Sequence, residues 1–496
     1  MYDVIVIGAG NGGMTGALNL AKAGKKVLLL ERHIVPGGAG TTFRRGRFEF
    51  DAGLHTLWGI GTKENPQRLG KVFKELGILD KLEFVQQHEL YNLNLSNIVS
   101  LTMPNTSDAF VKKAQLLSLS PKQAKGVKEY QKLVRGLAKE FFQLYEDLDG
   151  EVSEKTYPLL FKYGTRDTLD VMGEFFTAPL PKLLYGMNAG YAGFNFDLVG
   201  MPFLFNAFLY ELDGACHVKG GAQSISNALM DEFEKYGGKV LYNAEVDHIN
   251  TKDGRVTGVR LLDGREFEAE HILCNVNKVR AYVDYLDDDV VGEEMFQQLK
   301  LSKPAFSMVA IYLGLNCTAE ELGVKHGISY FMDLKSPARG KLKDTPLAEQ
   351  YGNAMYVSCY NLDDPDYSAP GTCVLSCLTS GFYEDWENLS PEEYVRAKEK
   401  VTERGLEMLY HFYPTLKDHI EVLESSTPMT HQRYLGSIGG SIYSSYGSME
   451  EFLTNKLDAT SPVKGLYFCG ASIIAGGFNT TYMSGKAVSD MMLRHW

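Results

Sequence analysis

Three glycines near the start of the chain have the spacing of a phosphate-binding turn. Gly8, Gly10 and Gly13 form the pattern G-x-G-x-x-G, and the acidic residue Glu31 follows. In such a motif Gly8 allows the tight turn, Gly10 lets the backbone approach a pyrophosphate, and Gly13 lets a helix and a strand pack closely. Glu31 could accept hydrogen bonds from a ribose. These residues predict dinucleotide binding; the alternative is a plain βαβ unit that binds nothing.

The flanking sequence predicts the elements that this chemistry needs. Residues 2–7 are mostly apolar and β-branched, which indicates a buried strand. A helix is predicted over 14–23, ended by Gly24, and a second strand over 27–30. The free N–H groups and the positive dipole end of the helix would then face the phosphates. The order strand, glycine turn, helix, strand and acid makes an otherwise weak motif specific.

Further glycines extend the pattern to both ends of the chain, and with them the sequence resembles a known group. It is similar to the flavoprotein amine-oxidase-like superfamily, and within it to the phytoene desaturase, carotenoid isomerase and retinol saturase branch. The resemblance is carried by Gly8, Gly10, Gly13, Ala17, Glu31, Gly37, Gly38, Thr41, Asp51, Gly53 and the segments 465–471, 476–477 and 484–485.

The resemblance implies FAD as the cofactor. In that family the N-terminal unit holds the adenosine and pyrophosphate, the glycine-pair loop passes close to the flavin, and the C-terminal glycine segment opens a helix aimed at the flavin ring. The cofactor-binding residues that it implies are Gly8, Gly10, Gly13, Glu31, Arg32, Gly38, Ala39, Gly40, Thr41, Leu54, His55, Val246, Gly470, Ala471, Gly477, Phe478, Asn479 and Thr480.

His55 is the residue that we single out for catalysis. It follows the turn 51–53, which the resemblance places beside the flavin ring, so it could act as an acid or base or bond a flavin carbonyl. A positioned structural histidine is the alternative. His217 and Lys219, just before a glycine pair, and Tyr482 in the final helix are further candidates at the pocket.

The C-terminal segment departs from the desaturase pattern. After Gly476 and Gly477, carotenoid-type desaturases commonly continue with a small apolar residue, proline and glycine, whereas this chain continues with the polar run 478–483. Asn479 or Thr480 is expected to act as the N-cap of the final helix. The polar run argues against carotenoid desaturation itself, and the pattern Gly53-x-His55 favours the isomerase and saturase side of the family.

The order of the segments predicts an α/β fold with two interleaved domains. We expect a Rossmann-like FAD-binding domain of the amine-oxidase-like type and an α+β substrate domain. Residues 1–90, 211–280 and 431–496 are assigned to the FAD-binding domain, and residues 91–210 and 281–430 to the substrate domain.

Several further elements in both domains can be predicted as well. Long helices are expected over 119–149 and 391–412, and a strand separate from the preceding hairpin over 271–275. Residues 201–210 are apolar on nearly every side of any helix that they form, which is typical of a buried helix or one that faces a cavity. We interpret that segment as the wall of an apolar tunnel.

Composition limits the partners. The 496 residues are 44 % hydrophobic and 23 % charged, as in a globular protein of two domains. The formal net charge of −12 argues against nucleic acid as a partner and against electrostatic adhesion to anionic lipid. The 11 histidines and 7 cysteines show no metal-ligand spacing, so no metal is expected, and the cysteines are expected to be mostly buried thiols.

The location follows from what the sequence lacks. The first predicted strand begins at residue 2, which leaves no room for a signal peptide. No apolar run reaches the length of about 18 residues that a membrane span needs. We therefore expect a cytoplasmic protein, with peripheral contact to the inner membrane face as a further expectation.

These features together predict an FAD-dependent oxidoreductase. Its expected reaction is saturation, desaturation or reduced-flavin isomerisation at C=C or C–C bonds of an extended apolar, isoprenoid- or lipid-like substrate. No second G-x-G-x-x-G is present, so electrons are expected to pass through a diffusible donor or acceptor. An amine or amino-acid oxidase of the same fold is the alternative, and a non-enzymatic prenyl-protein carrier is a third.

Overall fold

A computed structural model of the chain describes most of its residues. The segment 201–210, for which the sequence predicts a tunnel wall, lies outside the described residues. The described residues are 1–164, 166–187, 214–301, 303–304, 306–333, 351, 353–443, 445–446, 459–473 and 476–496.

Strands occur throughout the described residues, and most of them build two seven-stranded sheets; β3 with β4, β5 with β8, and β13 with β19 form separate pairs. The strands are β1 (Tyr2–Ile7), β2 (Val27–Leu30), β3 (Thr42–Arg45), β4 (Phe48–Asp51), β5 (Phe84–Gln86), β6 (Glu89–Leu95), β7 (Val99–Pro104), β8 (Cys216–Val218), β9 (Lys239–Leu241), β10 (Val246–Lys252), β11 (Arg255–Leu261), β12 (Glu266–Cys274), β13 (Lys303–Pro304), β14 (Ser307–Leu315), β15 (Ile328–Met332), β16 (Ala354–Ser358), β17 (Cys373–Gly381), β18 (Ile420–Ser426), β19 (Ser445–Tyr446) and β20 (Leu466–Phe468).

Helices cover the sheets. They are α1 (Asn11–Lys22), α2 (Arg68–Leu76), α3 (Ser107–Leu116), α4 (Pro121–Glu146), α5 (Pro158–Tyr163), α6 (Thr168–Phe175), α7 (Pro179–Met187), α8 (Ala222–Lys235), α9 (Lys278–Asp284), α10 (Asp288–Val291), α11 (Glu293–Leu301), α12 (Ala319–Leu322), α13 (Pro391–Phe412), α14 (Pro428–Leu435) and α15 (Phe478–Arg494).

The first sheet is largely parallel. Its order is β10–β11–β12–β1–β2–β9, with β20 pairing with β12. Strands β1, β2, β9, β12 and β20 run parallel to their partners in this group. A parallel sheet is covered on both faces, which explains why all four residues of β2 are apolar and buried. In such sheets ligands bind beyond the carboxyl ends of the strands.

The second sheet is mainly antiparallel. Its order is β18–β14–β17–β16–β15–β6–β7, and only the pair β15 and β6 is parallel. Side chains alternate across β14: Ala310 and Tyr312 join one hydrophobic cluster, whereas Ile311 and Leu313 join another together with Leu409 of α13. The sheet therefore separates the cluster around α4 from the cluster around α13.

Several predicted boundaries agree with the structure and others differ: helix α4, for example, is Pro121–Glu146 and is shorter at both ends than the predicted 119–149. Strands β1 and β2 and helix α13 begin and end where the sequence predicts. Helix α1 begins at Asn11, not at residue 14, because two of its first three residues are glycines, which sequence patterns do not assign to helices. The separate strand predicted over 271–275 is wrong: Glu266–Cys274 is one strand, antiparallel to β11 in its first half and parallel to β1 beyond it.

Two further properties concern the helices and the cysteines. In the part of the chain that the structure describes, no helix has the length and apolarity needed to cross a membrane. All seven cysteines are buried and carry free thiols, as the sequence predicts for most of them.

Candidate functional site

One cavity of about 820 Å³ is lined by residues of both large sheets. Its size is within the range of about 300–1,000 Å³ that is typical of small-molecule and cofactor sites. One end lies at the carboxyl edge of the parallel sheet, at Gly8 and Glu31. The other end is bounded by Met308, Tyr330 and Tyr356 of the antiparallel sheet.

The first glycine turn has the conformation that a phosphate site requires. Gly8 has φ +94°, in the left-handed region that favours glycine. A Cβ atom on Gly13 would lie 2.0 Å from the carbonyl oxygen of Gly8, so α1 packs against β1 at a distance that only glycine permits. Helix α1 begins directly after Gly10, and no side chain caps its first N–H groups. These N–H groups can therefore bind an anion.

The glycine-pair loop packs onto this turn. The N–H group of Gly37 donates to the carbonyl oxygen of Ala9 at 2.8 Å. A Cβ atom on Gly38 would lie 3.2 Å from the Cα atom of Gly10. The loop therefore lies against the same face of the turn that a pyrophosphate would approach.

Glu31 is held in place by two backbone N–H groups. Its two carboxylate oxygens accept hydrogen bonds from Ala9 at 2.7 Å and from His33 at 2.8 Å. A carboxylate has about four lone-pair positions, so each oxygen keeps capacity for a further donor. Because Glu31 lines the cavity at the end of β2, ribose hydroxyl groups are suitable donors.

Arg32 lines the same end of the cavity, but its guanidinium is engaged with the protein. It donates to the carbonyl oxygens of Arg433 at 3.0 Å and of Tyr434 at 2.6 Å. Arg32 therefore ties the end of α14 to the end of β2. Val246, at the start of β10, is buried and also lines this end.

The C-terminal glycine segment meets the N-terminal turn. A Cβ atom on Gly12 would lie 2.7 Å from the backbone nitrogen of Gly470. Gly470 has φ +76°, and its N–H group donates to Ser484 Oγ at 2.7 Å. The two ends of the chain are thus in van der Waals contact beside the cavity, where Ala471 lines the wall.

Asn275 is a residue at this junction that the sequence motifs do not reveal. It follows β12 and lines the cavity. Cβ atoms added to Gly10 or Gly12 would each lie 2.7 Å from its side-chain amide, and one added to Gly470 would lie 2.2 Å from it. The amide therefore fills the space between three glycines. The only sequence signal for it is its position at the carboxyl end of a parallel strand.

The final helix begins differently from the prediction. Its N-cap is Gly477, with φ +105°, so the predicted cap at Asn479 or Thr480 is wrong. Asn479 Nδ2 donates to the carbonyl oxygen of Trp58 at 2.5 Å, and Thr480 Oγ1 donates to that of Gly476 at 2.7 Å. These side chains bind neighbouring carbonyls and leave the first N–H groups of α15 without a side-chain cap. Those groups lie at the cavity wall.

Phe478 joins the central loops around the cavity. A Cβ atom on Gly40 would lie 3.2 Å from its ring, and one on Gly53 would lie 3.9 Å from it. The ring therefore packs between the glycine-pair loop and the turn that precedes His55. Thr41, next to Gly40, donates its hydroxyl to Gln223 Oε1 at 2.7 Å.

His55 is buried in the wall and bonds Tyr360, which begins a short 3-10 turn just beyond β16. Its Nδ1 atom lies 2.6 Å from Tyr360 Oη, and the Tyr360 hydroxyl donates to the carbonyl oxygen of Leu54 at 3.0 Å. Tyrosine has one hydroxyl proton, so both bonds form only if His55 donates from Nδ1. Its lone pair is then at Nε2. Burial lowers the pKa of His55 to about 4, so the imidazole is neutral at pH 7.

Three tyrosine hydroxyl groups hold the turn in front of His55. In addition to the bond from Tyr360 to Leu54, Tyr312 donates to the carbonyl oxygen of Ala52 at 2.9 Å. Tyr367 donates to Asp51 Oδ2 at 3.2 Å. The turn is thus fixed by side chains whose positions in the sequence are about 260 to 316 residues away.

Asp51 connects this turn to α8. Its Oδ1 atom accepts a hydrogen bond from Ala222, the first residue of that helix, at 2.8 Å. Burial raises the pKa of Asp51 to about 7, although the bonds from Ala222 and Tyr367 oppose the rise.

The apolar end of the cavity has aromatic walls. Tyr330 and Tyr356 are in edge-to-face contact, with ring centroids 5.2 Å apart, and His55 lies 5.5 Å from the ring of Tyr356. Met308 and Leu378 complete this wall from β14 and β17. Such a surface suits an apolar ligand with conjugated double bonds.

The structure brings together most of the residues that the resemblance implies. Gly13, Gly40, Leu54 and Gly470 lie behind the lining as packing positions, and the other residues of the set line the cavity. The candidates His217, Lys219 and Tyr482 lie outside the lining. The lining members are Gly8, Gly10, Glu31, Arg32, Gly38, Ala39, Thr41, His55, Val246, Ala471, Gly477, Phe478, Asn479 and Thr480.

The residues present fit a flavin dinucleotide. The turn at Gly10 leaves space that a Cβ atom would fill, and the first N–H groups of α1 and α15 have no side-chain cap. Asn11 Oδ1 is buried at this turn without a hydrogen-bond partner among the described residues. A polar, glycine-lined edge with unpaired groups is expected where a nucleotide supplies the missing partners.

The chain matches one family model over nearly its whole length and is similar to two named enzymes. The family model described as flavin containing amine oxidoreductase matches residues 12–493. The prolycopene isomerase of Arabidopsis thaliana is 27% identical, covering 99% of this chain and 84% of that protein. An all-trans-retinol 13,14-reductase of Danio rerio is 27% identical, covering 96% of this chain and 83% of that protein.

Solved structures share the fold at low identity. A putrescine oxidase bound to putrescine superposes with a TM-score of 0.67 at 14% identity, covering 99% of each chain. At this identity the likeness supports the fold alone.

Proposed function

Because the chain belongs to the family of flavin containing amine oxidoreductases, we propose that it acts on carbon–carbon double bonds of an extended apolar, isoprenoid-like substrate. The predicted α/β fold class, the FAD cofactor and the FAD-dependent oxidoreductase class are confirmed by this membership. The family resemblance is confirmed as well, since relatives named as a carotenoid isomerase and a retinol reductase match over nearly the whole chain.

The single observation that carries the proposal is the continuity of the cavity. Its polar, glycine-lined end suits a dinucleotide, and its other end has the apolar and aromatic side chains Met308, Tyr330, Tyr356 and Leu378. An isoprenoid chain could therefore lie against the aromatic wall with a double bond next to the position of the flavin. When bound, FAD supplies hydride transfer to or from a substrate carbon.

We propose His55 as the catalytic residue. Its neutral imidazole offers a lone pair at Nε2, and it lines the cavity between the two ends. That atom can take a proton from substrate or hold a hydrogen-bond donor in place. The apolar wall excludes water, and Tyr360 is a positioning residue because it binds the opposite ring nitrogen.

The proposal also covers the cofactor-binding residues, the domains, the route of the electrons and the location of the protein. The predicted cofactor-binding residues and the division into domains at 1–90, 211–280 and 431–496 against 91–210 and 281–430 are proposed as stated above. Electrons are proposed to pass through a diffusible donor or acceptor, and the protein is proposed to be cytoplasmic with peripheral contact to a membrane. An apolar substrate of this class would be dissolved in lipid, which supports that contact.

The test combines cofactor and product analysis. We expect the purified protein to be yellow and to contain FAD. Incubation with retinol, phytoene and lycopene isomers, with oxidised and with chemically reduced cofactor, should change one of them. Product mass separates the reactions: it rises in saturation, falls in desaturation and is constant in isomerisation. A colourless protein that takes up no FAD would contradict the proposal and leave a prenyl-protein carrier.

An amine oxidase of the same fold is the second candidate. The aromatic wall of Tyr312, Tyr330 and Tyr356 favours it to the extent that such rings can also hold a cation. Release of hydrogen peroxide on a panel of amines and amino acids, with no change in any isoprenoid, would identify this activity.

A further inference from the structure

One helix of this acidic protein carries positive charge along its outer face. Between Lys112 and Lys139 eight residues are basic, six of them in α4 and two in α3, and one, Glu129, is acidic, whereas the whole chain has a net charge of −12. The average over the chain therefore conceals a local excess of the opposite sign.

The geometry of α4 arranges this charge in a row. Its exposed basic side chains follow one another at intervals of three and four residues, so they lie on one face of the helix. At about 1.5 Å per residue the row is roughly 21 Å long. We call it the basic stripe; its members are Lys125, Lys128, Lys132, Arg135 and Lys139.

Little of this charge is neutralised within the protein. Lys132 pairs with Glu129 at 3.0 Å, and Arg135 pairs with Asp108 at 2.9 Å. Within the part of the chain that the structure describes, Lys125, Lys128 and Lys139 form no ion pair, and the neighbouring Lys112 and Lys122 form none either.

Two large apolar side chains are exposed next to the stripe. Leu116 ends α3 and Leu119 is in the turn to α4, and they are 84 % and 80 % exposed. Leu116 is five residues and Leu119 two residues before Pro121, where α4 begins. We call them the leucine tip. Exposed leucines beside a basic helix face are typical of a surface that inserts shallowly into lipid.

The inner face of the same helix packs toward the cavity. Val134 and Leu137 belong to the hydrophobic cluster that contains the cavity-lining residues Trp58, Tyr330 and Tyr356. The basic stripe is thus on the outside of the element that supports the apolar wall. None of its members lines the cavity.

We propose that the basic stripe and the leucine tip bind the surface of an anionic lipid bilayer. The stripe would attract acidic headgroups, and the tip would insert between them, so electrostatic attraction and apolar burial would act together. A nucleic acid or an acidic protein would use the charge but would leave the leucines exposed to water. This contact also brings the wall of the cavity close to lipid, where the proposed substrate class dissolves.

The experiment uses the purified full chain and vesicle flotation. Vesicles of phosphatidylcholine alone are compared with vesicles of equal parts phosphatidylcholine and phosphatidylglycerol, at low and at high salt. We expect binding to the anionic vesicles, little binding to the neutral ones, and loss of binding as salt screens the charge. Failure to bind anionic vesicles at low salt overturns the proposal, whatever other partner the stripe has.

Matched variants separate this surface from general charge. Lys125→Gln, Lys128→Gln and Lys139→Gln together should weaken partition about 100-fold, at about fivefold for each lysine. Removing the same charge elsewhere, with Lys239→Gln, Lys252→Gln and Lys400→Gln, should change it far less. Equal effects of the two sets would overturn the proposal.

The leucine tip is tested in the same way. Leu116→Ser with Leu119→Ser should weaken partition about tenfold and leave its salt dependence intact. The control is Leu262→Ser with Val395→Ser, two other exposed apolar residues. No difference between these pairs would show that the tip does not insert. The flavin content of each sample is measured separately, so a protein without FAD that binds vesicles contradicts the proposed function alone.

Discussion

The two ends of the cavity differ in which groups form the wall: backbone at one end and side chains at the other. At the nucleotide end, the wall consists of the backbone of a few short segments that pack closely against one another through glycines, among them Gly10, Gly38 and Gly470. At the apolar end, side chains from strands β14 to β17 meet because the sheet aligns them, and Tyr330 and Tyr356 are examples. A short motif can specify the first kind of site, whereas the second depends on strand register.

The nucleotide end should lose FAD binding when a side chain at Gly10 blocks the approach of the pyrophosphate to the backbone. Gly10→Val adds a side chain whose Cβ atom would lie 2.7 Å from the Asn275 amide, in the space that the pyrophosphate needs. We expect the variant to purify without flavin, with at least a 100-fold loss in FAD affinity, a loss of about 2.7 kcal/mol. The ratio of flavin to protein absorbance measures it.

A glycine that serves only a turn is the control for this change. Gly24 follows Ala23, the C-cap of α1. Nothing lies within 4 Å of a Cβ atom added at Gly24. Gly24→Asn, which tolerates a positive φ, should retain FAD. If Gly10→Val also retained FAD, the nucleotide would have to bind elsewhere.

Asn275 tests whether the nucleotide end extends beyond the motif. Asn275→Asp places a carboxylate between the three glycines, on the side where the phosphates are expected, and the two like charges would repel each other. We expect FAD affinity to fall about 30-fold, which is about 2 kcal/mol. Titration of the apoprotein with FAD gives the dissociation constant.

The same substitution elsewhere on the sheet is the comparison for Asn275. Asn250 is on the outer strand β10 and does not line the cavity. Asn250→Asp should leave the dissociation constant unchanged. An equal loss in both variants would mean that the negative charge acts on folding instead of on the phosphates.

The difference between the two ends also explains what could be predicted from the sequence. Gly8 and Glu31 are recognisable because the residues between them encode a complete local unit. Asn275 and Tyr360 are not, because each acts on residues that are about 267 and 305 positions away in the chain. The wrong N-cap at Asn479 has a similar cause, since its side chain bonds Trp58, a distant neighbour.

The net charge of the chain likewise does not reveal how charge is distributed over the surface. The net charge of −12 predicts no electrostatic adhesion to anionic lipid, whereas the basic stripe leads us to propose such adhesion. A sum over the chain contains no information about faces, and the row from Lys125 to Lys139 becomes visible only when helix periodicity is combined with exposure.

At the junction of the two ends, His55 and Tyr360 should affect turnover and not cofactor content. His55→Ala should retain FAD and lower kcat about 100-fold, the range of general acid–base catalysis. Tyr360→Phe removes the group that holds Nδ1, so we expect a smaller fall in kcat, with KM little changed and the pH–rate profile displaced. Steady-state kinetics across pH measures both.

Tyr312→Phe is the matched control for this pair. It removes a hydroxyl group that donates to the same turn, at Ala52, but does not touch His55. A merely structural role of Tyr360 predicts the same profile for both phenylalanine variants. Unchanged turnover in His55→Ala would remove the catalytic assignment of His55.

At Asp51, where the turn meets α8, the expected effect is on the pH dependence of stability. Because burial raises its pKa from 3.8 to about 7, the folded protein holds this proton more tightly than the unfolded chain does. The contribution of Asp51 to the free energy of unfolding is therefore fully present below pH 3.8 and is lost as pH rises toward 7. Asp51→Asn does not titrate, so its stability relative to the parent protein should increase over this range and then stay constant.

Urea denaturation of both proteins at several pH values measures this difference. Subtracting the two curves removes the other titrating groups, which they share. Glu266→Gln, an exposed carboxylate at the start of β12, is the control and should not reproduce the trend. If the difference for Asp51→Asn were flat through pH 7, the carboxylate would already be ionised in the folded protein. The bonds from Ala222 and Tyr367 would then outweigh burial, and the turn before His55 would carry a fixed negative charge.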